Sequence, residues 1–159
     1  MNPNEQQFAQ MVEQQKSTIY TVCYMFSKNK DEVNDLFQEV LINLWRGFEH
    51  FEGRSDVRTW VYRVALNTCI SQDRRRRRRT DVELSMDIDL FHDADADTRQ
   101  VDLLHKRIQL LQPFDRAIVL LWLEDLSYDE IAQIVGITTK NVSVRLVRIK
   151  EELKRMSNA

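Results

Sequence analysis

The sequence predicts an all-α protein of two small helical domains joined by a flexible acidic linker, the second domain being a helix-turn-helix. Three observations carry this. Only 3 glycines and 2 prolines occur in 159 residues, a composition that favours helices over a turn-rich chain. Apolar residues recur at three- and four-residue steps on both sides of one interval. That interval, Thr80 to Thr98, has no sustained period, holds seven acids and no base, and reads as a linker. The expected boundaries are therefore 1–79, 80–98 and 99–159.

The first helix is expected from about residue 5 to residue 27, where Phe8, Met11, Val12, Ile19, Val22, Cys23 and Phe26 fall at helical spacing. Asn29 with Glu32 forms a capping-box pattern before a longer helix. Its apolar positions, Val33, Leu36, Phe37, Val40, Leu41, Leu44, Trp45 and Phe48, make one continuous stripe. Gly53 breaks the pattern. Ser55 or Asp56 can cap a third helix, with Val57, Trp60, Val61, Val64, Ala65 and Thr68 as its inner face. These three helices hold enough large side chains for a single core.

Beyond the linker, Thr98 can cap a helix running to about Leu111. Pro113 suits the first position of the next helix, which continues through the very apolar "RAIVLLWLED". Ser127 and Glu130 form a second capping box, ahead of a short helix bearing Ile131, Ala132 and Ile134. Gly136 is free to adopt positive φ in a tight turn. Thr138 or Thr139 can then cap a final helix with Val142, Leu146, Ile149 and Leu153 inside. A short helix, a turn containing Gly and a second helix rich in Arg and Lys is the pattern of a DNA-binding helix-turn-helix.

Several function classes are set aside by composition and spacing. No window approaches the roughly eighteen consecutive apolar residues of a membrane span, and "MNPNEQQFAQ" has no basic-then-apolar leader pattern. A cytoplasmic location without membrane insertion is expected. Cys23 and Cys69 sit in apolar helical patterns, so buried thiols are expected rather than a disulfide. His50, His92 and His105 show no paired metal-ligand spacing, and neither a Gly-rich phosphate loop nor a nucleophile elbow is present. No enzyme activity and no cofactor are therefore expected. "DADAD" fails as a calcium loop, because Thr98 and Leu104 stand where Gly and Glu are required.

The formal net charge of −2 conceals strong local imbalance. Residues 54–79 carry nine bases and two acids, and residues 139–155 carry six bases and two acids. Two such blocks in acidic surroundings suit two separate phosphate contacts. On the third helix Thr59, Arg63 and Asn67 recur every fourth residue, and Arg74 and Arg78 continue the row. Guanidinium groups for phosphates and an amide for a base edge thus share one stripe. Trp60 and Tyr62 are placed to stack on unpaired bases, with core packing the alternative for Trp60. The run Arg74 to Arg79 presents some guanidinium groups outward at any helical phase. The carboxylates of the linker can shield those arginines in the free protein, or act only as a solvated spacer. On the second helix Asp35, Gln38, Glu39, Ile42 and Arg46 fall within about 100° of arc opposite the apolar stripe. An isoleucine inside an acidic, polar face suggests a partner surface.

"DLFQEVLINLWRGFEHFEGRSDVRTWVYRVALNTC" resembles region 2, and "LSYDEIAQIVGITTKNVSVRLVRIKEELK" resembles region 4, of the extracytoplasmic-function group of bacterial RNA polymerase sigma factors. The order and spacing agree, and the resemblance covers nearly the whole chain outside the linker and termini. It implies a non-enzymatic subunit that binds core RNA polymerase and directs it to specific promoters. Asp35, Gln38, Glu39 and Ile42 would then dock on the large polymerase subunit. Arg54, Ser55, Asp56, Arg58, Thr59, Trp60, Arg63, Asn67, Arg74 and Arg78 would hold the −10 element. Thr139, Lys140, Asn141, Ser143, Val144, Val147 and Arg148 would face the −35 element, with Arg145 on phosphate. Ser143 stands where many members carry Arg, so the resemblance does not carry over a −35 sequence. Whether an anti-sigma factor is a further partner stays open. The alternative is a stand-alone helix-turn-helix regulator, which explains the last sixty residues but not the acidic face on the second helix.

Overall fold

The computed structural model describes residues 2–51, 53, 56–79 and 96–157. The linker expected from 80, as far as residue 95, and the candidate site residues Arg54 and Ser55 lie outside the described residues. The described chain contains helices and no strand, and it divides into two compact units, Met1–Leu84 and Ser85–Ala159.

In the first unit α1 (Pro3–Met25), α2 (Lys30–Phe51) and α3 (Val57–Arg79) each pack on the other two. The α1 helix begins earlier than its apolar spacing suggests, because a polar cap sets its start. The Asn2 side chain accepts from the Glu5 N–H at 2.8 Å, and Pro3 fills the first turn, where its missing N–H leaves nothing unpaired. At the start of α2, Asn29 accepts from the Glu32 N–H at 2.9 Å, as the pattern predicts. The reciprocal arm differs: the Glu32 carboxylate accepts from the Lys28 N–H at 2.6 Å, one residue upstream of the cap. Its other oxygen pairs with Arg76 of α3 at 3.2 Å, so one arginine of the run is turned toward the protein.

The core of this unit is Ile19, Val22, Cys23 and Phe26, with Val33, Leu36, Val40 and Leu44, and Val61, Ala65, Leu66 and Cys69. Each large side chain there contributes about 1.5–3 kcal/mol of burial. Both cysteines are free and buried. Phe8, Trp45, Phe48, Phe51 and Trp60 form an aromatic cluster at one end, with Phe51 and Trp60 stacked at 4.7 Å. A Cβ on Gly47 would lie 3.3 Å from Trp60 Cζ2, so glycine lets the indole approach α2 closely.

Two expectations need correction. Tyr62 is 2% exposed and packs within the core, so its ring is not offered for base stacking. Trp45, expected inside, is exposed and meets Phe8 edge-on at 5.1 Å, because it stands at the flank of the stripe, about 100° of arc from buried Leu44.

The second unit comprises α4 (Ala96–Gln109), α5 (Pro113–Leu123), α6 (Tyr128–Val135) and α7 (Thr139–Ser157). The α4 helix starts before Thr98, which is therefore an interior residue and not the cap; the last residues assigned to the linker are helical. Pro113 opens α5 as expected. Ala117 to Leu121 are all buried, as befits a helix apolar on every side. Within α5 Arg116 is only 1% exposed. Its guanidinium donates to the backbone carbonyls of Ile108 (3.3 Å), Gln109 (2.8 Å) and Leu111 (3.1 Å). These carbonyls lie at and just past the end of α4, where helical N–H partners run out; that of Ile108 also accepts from the Leu111 N–H at 3.0 Å, and the cation opposes the negative end of the helix dipole.

Candidate functional site

On the first unit, the outer face of α2 exposes Asp35, Gln38, Arg46 and Ile42, the last 45% exposed. The buried residues of α2 (Val33, Leu36, Val40 and Leu44) face the other way. Glu39 is half-buried because it turns toward α3. There it shares an open cleft of about 320 Å³ with Asn43, Val64, Asn67, Thr68, Ser71, Gln72 and Arg75. One residue expected on the polymerase face and one expected on DNA thus line the same cleft.

Along α3, Arg63, Asn67, Ser71, Arg74 and Arg75 are exposed, while Thr59 is half-buried. Arg78 also belongs to this helix. At its start, exposed Arg58 lies over the Tyr62 ring at 5.5 Å. The carbonyl of Asp56 accepts from the Trp60 N–H at 3.0 Å, and Trp60 itself is half-buried in the aromatic cluster. Sequence reasoning missed Asn43, whose amide donates to the Thr68 hydroxyl at 2.9 Å; that hydroxyl donates in turn to the Val64 carbonyl at 2.7 Å. A carboxamide one turn after Glu39 was the available signal.

On the second unit the helix-turn-helix is α6, a turn at Gly136 and α7. Both arms of the Ser127–Glu130 capping box are made, at 3.0 and 3.1 Å. Gly136 ends α6 at φ +78, a left-handed conformation that side chains with a Cβ adopt at a cost. Of the two candidate caps, Thr138 accepts from the Asn141 N–H at 3.1 Å. Thr139 donates to the Asp129 carboxylate at 2.8 Å, tying the start of α7 to the start of α6.

Lys140, Asn141, Val144, Val147 and Arg148 are exposed on α7, and Ser143 is half-buried. Arg145 is engaged within the unit: it pairs with Asp115 at 3.2 Å and lies over the Phe114 ring at 4.8 Å. Lys150 sits 4.2 Å over the Trp122 ring. Among the described residues no group of three or more His, Cys, Asp or Glu side chains is placed to hold a metal ion. No helix among them is long and apolar enough to cross a membrane.

Residues 11–79 match the family model of sigma-70 region 2, and residues 102–153 match that of sigma-70 region 4. The ECF RNA polymerase sigma-E factor of Haemophilus influenzae is 30% identical over 142 residues, which span 79% of this chain and 75% of that protein. The ECF RNA polymerase sigma factor SigW of Bacillus subtilis is 28% identical over 165 residues, with 93% and 87% covered. Among solved structures, the sigma factor RpoE of Bartonella quintana, crystallised with the anti-sigma factor NepR, has the same fold. Its TM-score is 0.78 over 96% of this chain and 98% of that one, at 21% identity. With regions 2 and 4 both matched in order and a relative aligned over most of its length, the chain belongs to the extracytoplasmic-function group of the sigma-70 family of RNA polymerase sigma factors.

Proposed function

We propose that this sigma factor divides its work among residues 1–79, a linker that starts at 80 and gives way to α4 at Ala96 rather than at 99, and the helices from there to 159. It binds core RNA polymerase through Asp35, Gln38, Glu39 and Ile42 on α2. The −10 element runs along α3: Arg63, Asn67, Arg74 and Arg78 follow the strand, and Arg54, Ser55, Asp56, Arg58, Thr59 and Trp60 meet it at the start of the helix. The α7 helix enters the −35 major groove with Thr139, Lys140, Asn141, Ser143, Val144, Val147 and Arg148 toward the −35 element, and with Arg145 toward phosphate. The protein acts in the cytoplasm as a specificity subunit, catalyses no reaction itself and takes an anti-sigma factor as a further partner.

The observation that carries this reading is the cleft between α2 and α3 that Glu39 and Asn67 both line. One packed body thereby offers an acidic face and a basic, amide-bearing face side by side, which a duplex-binding regulator does not need. The test is run-off transcription with bacterial core polymerase and a genomic promoter library. The expected result is transcripts that depend on this protein and share spaced −10 and −35 elements. Tight, sequence-specific duplex binding without polymerase, and no dependent transcripts, would establish the stand-alone regulator instead.

A further inference from the structure

The face of α7 that points away from its own domain carries two aliphatic side chains left exposed. Val142, Leu146 and Ile149 are buried and supply the packing of this helix. Val144 and Val147 lie outside that stripe, 47% and 56% exposed. Neither valine belongs to the buried core, and β-branched residues on an exposed helix give up side-chain freedom for little packing. Their neighbours on this face are Lys140, Asn141 and Arg148, all exposed. The apolar patch is therefore two residues long and ends in a cation on both sides, which suits a polyanion better than the apolar groove of a protein.

We propose that Val144 and Val147 select thymine in the −35 element by covering its C5-methyl group, an inference that rests on α7 being the −35 reader. Valine has no donor or acceptor, so it cannot read a base edge by hydrogen bonds. In the major groove the thymine methyl is the one apolar feature that distinguishes base pairs. Residues three apart on a helix place their Cβ atoms about 5–6 Å apart, with a rise of about 4.5 Å along the axis. Base pairs stack at about 3.4 Å, so the two valines meet methyl groups on adjacent base pairs, on one strand or across the two. Lys140 and Arg148 hold the helix to the flanking phosphates or guanines while the valines discriminate.

The experiment uses holoenzyme assembled from the full chain and bacterial core polymerase. Templates selected by it from a pool randomised over the −35 region are rebuilt with deoxyuridine in place of thymidine, one position at a time on each strand, which removes only the methyl group. Two adjacent positions should each lose about fourfold in holoenzyme binding, the factor that corresponds to about 0.8 kcal/mol per buried CH₂. Val144→Ala should erase the thymine–uracil difference at one position and Val147→Ala at the other. Val147→Thr, nearly the same size but with one methyl replaced by hydroxyl, should reduce the difference at its position without altering the folded spectrum. Equal binding of thymine and uracil templates overturns the inference, as does discrimination that survives both alanine variants. If selection enriches a −35 sequence without adjacent thymines, only this inference fails. If it enriches no −35 sequence at all, the assignment of α7 fails with it.

Discussion

Replacing Arg116 with methionine tests whether one buried guanidinium holds the second unit together. Methionine has similar length and fills the space, so the change isolates the polar contacts. Three donated hydrogen bonds disappear, at 2.8, 3.1 and 3.3 Å. The Ile108 carbonyl keeps the Leu111 N–H at 3.0 Å, while those of Gln109 and Leu111 lose their donor. Each orphaned carbonyl costs about 1–3 kcal/mol. Part of that is returned, because a buried cation no longer has to be desolvated, a penalty of several kcal/mol per ion. A net loss of about 1–3 kcal/mol follows, or roughly 5- to 150-fold in a local opening equilibrium. The assay is amide hydrogen exchange on the full chain, read peptide by peptide. Protection should fall by that factor across α5 to α7, while α1 to α3 serve as an internal control and stay unchanged. An α5 that exchanges within about threefold of the parent would refute the argument, since it would mean that those carbonyls find water or other donors at no cost. Core polymerase binding should survive the change, and recognition of the −35 element should not.

Four further outcomes are expected. Glu39→Lys should weaken binding to core polymerase by about 2–5 kcal/mol if the carboxylate meets a cation there, measured by pull-down titration, with thermal stability shifted by less than about 1 kcal/mol. Arg148→Ala should relax preference at one −35 position at a cost of about 1–3 kcal/mol, whereas Asn67→Ala should impair only −10 recognition, both read by transcription from promoters mutated base by base. Glu32→Ala removes the cap contact to Lys28 and the pairing with Arg76, and should lower stability by about 1–2 kcal/mol in a denaturant titration. Changing Asp87, Asp89, Asp93, Asp95 and Asp97 to Asn should tighten polymerase-free binding to a −10 single strand, most visibly at low salt; an unchanged affinity and salt slope would leave the acids as a spacer.

The parts of the fold that local chemistry dictates were legible in the sequence. Ser127 and Glu130, Gly136 and Pro113 each name their own structural position, because a cap, a left-handed turn and a first helical position have few solutions. The inner stripes of α2 and α7 were legible for the same reason, since period alone selects a face. Tertiary pairings were not. Arg116 stands out in "RAIVLLWL" as a charge in an apolar run, yet nothing local says that its partners are carbonyls at the end of the preceding helix. Tyr62 falls one step off the expected inner face of α3 and is buried all the same, because α3 is covered by both α1 and α2 and so hides a wider arc than a helix with one neighbour. Of the candidate site, the outward positions on α2 and α7 followed from the wheel, while the cleft shared by Glu39, Asn67 and Arg75 required two helices to be packed together.

The hydrogen bond from Asn43 to Thr68 has a mechanical consequence. Thr68 is 6% exposed and donates its own hydrogen bond to the Val64 carbonyl, so its oxygen is held in place to accept from the half-buried Asn43 amide at the wall of the cleft. A shift of α2 along α3 by a single residue would break that bond, at a net cost of about 0.5–1.5 kcal/mol, and would also unseat the apolar side chains buried between the helices. The pair therefore works as a dowel between two beams. Pressure applied to α2 moves α3 with it as one rigid piece, and the spacing between the two outward faces is settled when the chain folds. A ligand that grips both faces meets a template already cut to length, and none of its binding energy goes into aligning the halves.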